Sequence, residues 1–183
     1  MYQLYYNPST PVHLIKPELT LDICLERANL KYMHVLKNLV RLNWMVNDLK
    51  VNPIMKPILL RNNFQVFCGD TRMMAVELNP HIKNVPTLLQ CDTNVTVGSG
   101  WIKVESVLHL AELVGTVPEN ILCKNWNQQQ LEWIEFAFPQ TSHHMHDEQQ
   151  RERMISNYLR THPDTIFDQD WVCSTIDWSL YDH

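Results

Sequence analysis

Pro57-Ile-Leu-Leu-Arg-Asn-Asn-Phe-Gln-Val-Phe-Cys-Gly-Asp-Thr-Arg-Met-Met-Ala75 is the stretch that decides the fold of this 183-residue chain. The apolar run after Pro57 predicts a strand over 57–61. Asn62-Asn63 tolerates positive φ and fits a two-residue hairpin turn, so 64–67 reads as the returning strand. Gly69 then leads a turn into a helix over 71–78, which Asn79-Pro80 stops. Backbone N–H groups converge where such a helix begins, and Arg72 lies in its first turn. Amides and a guanidinium near one point suit an anion, most often a phosphate. Gly69, Asp70, Thr71 and Arg72 are therefore the candidate site residues.

Upstream, residues 2–6 and 12–15 read as short strands around a proline-containing turn, Asn7-Pro-Ser-Thr-Pro11. Thr20 or Asp22 would cap a helix running to about Met33. In the next helix Val35, Leu39, Leu42, Val46 and Leu49 form one apolar stripe, and Asn52-Pro53 ends it. Downstream, Val85-Pro-Thr-Leu-Leu89 reads as a strand and 92–100 as a polar loop. The rest reads as helical: Val104–Val114, Pro118–Asn125, Asn127–Phe138 and Asp147–Thr161. The last of these has Asp147 as its cap and Arg160 in its last turn. The aromatic, acidic tail from Ile166 to His183 is expected to pack back on the body. These elements predict an α+β fold with a mixed sheet over 1–95 and a helical, acidic region over 101–183.

Apolar residues make up 45% of the chain and charged residues 19%, a globular composition and not a disordered one. Residues 1–100 carry ten Lys/Arg against seven Asp/Glu, or +3; residues 101–183 carry five against thirteen, or −8. A nucleic-acid surface, which needs clustered positive charge, would therefore lie on the first half. The acidic second half would suit a protein partner. Cys24, Cys68, Cys91, Cys123 and Cys173 show no CxxC spacing and sit among apolar neighbours, as expected of buried thiols in a reducing compartment. Residues 1–6 lack the features of a signal peptide. No apolar run approaches the roughly 18–20 residues of a membrane span, so the expected location is cytoplasmic.

The ordered set of features around the central stretch resembles the ParB/sulfiredoxin superfamily. There an amphipathic helix leads to a proline-started strand, a hairpin, a G-x-x-R-x-x-A turn opening a helix, and a proline-containing strand. Gly69, Arg72 and Ala75 match the turn; Val40–Leu49, Pro57-Ile58 and Val85-Pro86 match the flanks, over about residues 35–90. The resemblance implies a nucleotide-phosphate pocket at Gly69–Arg72. ParB-like proteins bind CTP there. Sulfiredoxins and free-serine kinases of this fold bind ATP and act on phosphoryl groups. Other members have been described as nucleases, and many unassigned ones come from phages and mobile elements. The implied cofactor is a nucleoside triphosphate, ATP or CTP, with Mg²⁺; the implied reactions are phosphoryl transfer or hydrolysis. Arg72 would stabilise charge, Gly69 and Thr71 would position phosphate, and Asp70 would hold the metal or act as base. The chain departs from both branches. Asp70-Thr71 stands where ParB proteins carry Glu-Arg. Cys68 precedes the glycine, with no histidine beside Arg72, unlike the sulfiredoxin arrangement.

Other features have plainer readings. Cys68 is a thiol near a helix start and an arginine, but more simply a small residue ending a strand. Ala111, Gly115 and Ile121 have helix-turn-helix spacing, yet Pro118–Asn125 offers one Lys and one Glu, few donors for groove reading. His143, His144 and His146 beside Asp147 are read as a solvated helix entry before a metal cluster. Asp164, Asp168, Asp170 and Asp177 are read as an acidic surface.

Overall fold

The computed structural model describes residues 2–92, 98, 100–114 and 147–183. These form two compact units, each assembled from separated pieces of chain: 2–18, 54–69 and 82–114 in one, and 19–53, 70–81 and 147–183 in the other. The fold is α+β with a mixed sheet.

The first unit is a five-stranded sheet of order β3-β2-β4-β1-β5. Its strands are β1 (Tyr2–Pro11), β2 (Ile58–Arg61), β3 (Val66–Cys68), β4 (Asn84–Asp92) and β5 (Ile102–Val104). β2 and β4 run parallel, and the other pairs are antiparallel. Leu4, Tyr6, Leu59, Leu88, Val104 and Leu110 form one apolar cluster, to which α4 (Val107–Val114) contributes Leu110. Thr10 and Thr87 are buried beside this ladder, their hydroxyls 2.6 Å apart.

Three local expectations are corrected here. The N-terminal segment is one strand, not two around a turn. Asn7 pairs with Thr87 but Thr10 with Val85, so β1 carries one extra residue against β4. That bulge takes in Pro8, which has no N–H to give to a ladder, and β5 pairs only with Leu4–Tyr6. The hairpin after β2 closes one residue later than a two-residue turn would. Asn63 accepts the Gln65 N–H through its side chain, and Phe64 rather than an asparagine takes the positive φ, 66°. The ring of Phe64 lies edge-on to Trp101. Finally, 102–104 form an edge strand, so the helix expected from Val104 starts only at Val107. The expected helices over 118–125 and 127–138 lie outside the described residues.

The second unit is built around α2 (Met33–Asp48), which meets α1 (Leu21–Asn29), α3 (Asp70–Glu77), α5 (Glu148–Thr161) and α6 (Gln169–Cys173). The whole predicted stripe of Val35, Leu39, Leu42, Val46 and Leu49 is buried. So are Leu36, Val40, Asn43 and Met45, because neighbours enclose α2 on more than one face. α1 stops at Asn29, short of Met33, since Lys31 adopts φ 64° and turns the chain into α2. Lys31 is held there by its ammonium, which donates to the Thr165 carbonyl and lies over the Phe167 ring.

α5 begins with a complete capping box: Asp147 accepts the Gln150 N–H, and the Gln150 side chain accepts the Asp147 N–H. Glu148, in its first turn, pairs with Lys37 of α2 at 2.6 Å. Hydrogen bonding and charge from Lys37 hold its carboxyl below the usual range. The tail folds back as expected. Asn43 donates to the carbonyls of Val172 and Ser174 and accepts from Trp178 Nε1. Asn29 exchanges two hydrogen bonds with the Phe167 backbone. Tyr158, Trp171, Trp178 and Tyr181 pack edge to face around this clasp. No helix among the described residues is long and apolar enough to cross a membrane.

Candidate functional site

Gly69 leaves β3 with φ 123°, a conformation open to glycine and strained for other residues. α3 then begins at Asp70, one residue earlier than expected. Asp70 Oδ1 accepts the Leu19 N–H at 3.4 Å, which ties the start of α3 to the segment entering α1. Thr71 and Met74, one turn apart on α3, face a cavity of about 100 Å³.

The cavity is lined by three helices of the second unit. Its polar lining is Arg27 from α1, His34 and Asn38 from α2, and Thr71 from α3. Its apolar lining is Leu19, Cys24, Val35, Leu39, Leu42 and Met74. Arg27 brings the donor-rich side chain of the lining. Burial pushes the Cys24 thiol above its usual value; Arg27 opposes that shift and the Asp70 carboxylate reinforces it. Cys24 therefore stays a neutral thiol at neutral pH and behaves as part of the apolar wall.

Thr71 thus lines the cavity, and Asp70 sits beside it without lining it. Arg72 is 1% exposed and is not part of the cavity wall. The arginine at the cavity is Arg27, which the local reading of the 57–75 stretch had no means of nominating. Spacing offered a signal: Cys24 and Arg27 are three apart on α1, and His34, Val35, Asn38, Leu39 and Leu42 follow a 3–4 rhythm on α2.

The remaining candidates resolve locally. Cys68 is half-buried at the end of β3 and packs on the sheet cluster. Asp168 and Asp177 cap the short helical turns that follow them, accepting from Trp171 N–H and Ser179 N–H. Among the described residues there is no group of three or more His, Cys, Asp or Glu able to hold a metal ion. His143, His144 and His146 lie outside the described residues, as do Gly115 and Ile121 of the helix-turn-helix spacing. No protein-family model, curated protein or solved structure matches the chain.

Proposed function

We propose that this protein binds a small phosphorylated ligand at the cavity beside the start of α3, with Arg27 and Thr71 receiving the phosphoryl group. One observation carries the reading: Thr71, from the turn that the sequence marks as a phosphate receptor, lines the same cavity as Arg27. A planar fork of donors and a hydroxyl match phosphate oxygens, and Asn38 and His34 extend the polar rim. The likeness of Gly69, Arg72 and Ala75 to the ParB/sulfiredoxin turn points to the same part of the chain. Cytoplasmic placement belongs to this reading and is supported by Cys24, a buried thiol in no disulfide.

Sites that enclose a drug-sized ligand span roughly 300–1,000 Å³. A cavity of about 100 Å³ accommodates a compact group and not a whole nucleotide. ATP or CTP would place its phosphates at Arg27 and Thr71 and leave its base outside. Mg²⁺ commonly binds through one or two carboxylates plus substrate phosphates. Asp70 is the carboxylate beside this site, so a Mg²⁺ here would depend mainly on the ligand.

Thermal-shift measurements on a panel of nucleotides and small phosphate esters, with and without Mg²⁺, test the proposal on wild type, Arg27→Ala and Thr71→Val. A ligand that raises the wild-type melting temperature should bind Arg27→Ala about tenfold or more weakly. Equal shifts in wild type and both variants would rule the site out.

A further inference from the structure

The geometry points to a ligand whose phosphoryl head carries a short aliphatic group, which the cavity floor receives; this rests on the phosphate reading above. Each of the three helices contributes an apolar and a polar residue one turn apart: Cys24 and Arg27, Val35 and Asn38, Thr71 and Met74. One turn is about 5 Å along a helix. The site therefore pairs an apolar wall with polar groups at the short separation found within a small amphiphile.

The apolar part is well buried and carries no charge. Leu39 and Leu42 are 1% exposed, and Val35, Cys24 and Met74 are nearly as enclosed. Asp70, the nearby carboxylate, is engaged with the Leu19 N–H and adds to the forces keeping Cys24 protonated, so no thiolate faces the ligand. Nothing in that wall hydrogen-bonds strongly enough to select a sugar or a base edge. Size sets the group: an apolar protein cavity of about 150 Å³ holds benzene. A cavity of about 100 Å³ then takes a group of roughly four carbons.

Isothermal titration with a homologous series, at fixed pH and ionic strength, tests this: inorganic phosphate, ethyl, butyl and octyl phosphate, and Mg-ATP. Each buried methylene should strengthen binding about fourfold, so butyl phosphate should bind on the order of a hundredfold more tightly than inorganic phosphate. Octyl phosphate should gain nothing further. Met74→Ala enlarges the floor and should move the optimum to a longer chain; the wild-type series stands without it if that variant fails to fold. Butyl phosphate binding no better than inorganic phosphate, with both weakened by Arg27→Ala, would overturn the aliphatic inference and keep the phosphate site. Absence of binding by every phosphate would overturn both.

Discussion

In the sheet unit, strands satisfy one another's backbone groups, and apolar residues from β1, β2, β4, β5 and α4 meet in one cluster. Thr10 and Thr87 are buried there and bond to each other. In the helical unit, distant segments are joined through side-chain amides: Asn43 and Asn29 reach carbonyls and an indole more than a hundred residues away. The first arrangement gains most from apolar area. The second adds directional bonds that dock the tail in one way, and the same unit holds the cavity. Mutations should separate the two.

The largest effect is expected at the centre of the sheet. Leu88→Ala deletes a fully buried side chain and should cost about 3 kcal/mol in urea unfolding. Asn43→Leu keeps volume but leaves the Trp178 N–H and the Val172 and Ser174 carbonyls without their amide. It should cost about 2 kcal/mol and raise hydrogen exchange over 169–181. If Asn43→Leu proves neutral, the amides are incidental and the contrast between the units fails.

Smaller effects refine the contrast. Thr10→Val alone should cost about 1 kcal/mol by stranding the Thr87 hydroxyl. The Thr10→Val, Thr87→Val double variant should recover most of that loss. A double variant no more stable than Thr10→Val alone would mean that the pair itself supports the sheet. Smallest is Glu77, whose carboxyl is raised from 4.5 by burial and by the Asp22 charge. A raised carboxyl favours folding below pH 4.5 and loses that contribution as pH rises through the folded value. Glu77 is largely exposed, so solvent screening keeps the effect to a few tenths of a kcal/mol. Glu77→Gln should therefore raise the urea midpoint slightly at pH 7 and not at pH 4.

The apolar pattern made much of this fold legible. The α2 stripe, the β2 run, the turn at Gly69 and the capped start of α5 all follow from local spacing and caps. What stayed hidden was non-local or conformational. Prolines suggested a turn at 7–11, but a bulge accommodates one within a continuous strand. Asn62-Asn63 signalled a tight turn, but an Asx bond moved the left-handed residue to Phe64. At the site, Thr71 was reachable from the turn signature. Arg27, His34 and Asn38 showed a helical rhythm and no more, since a cavity formed by three helices depends on how those helices are placed, which no single window of sequence records.

The clasp around Asn43 has a consequence for synthesis. Its partners at Val172 and Trp178 lie 129 and 135 residues further along the chain. At about 5–20 residues per second, translation delivers them roughly 6 to 27 s after Asn43 itself. For that interval the nascent protein carries the longest of its described helices without the segment that closes over its buried amide. A ribosome stall before residue 165 should leave that surface open to chaperones, and a nascent chain halted there should be far more protease-sensitive across 33–48 than the released protein.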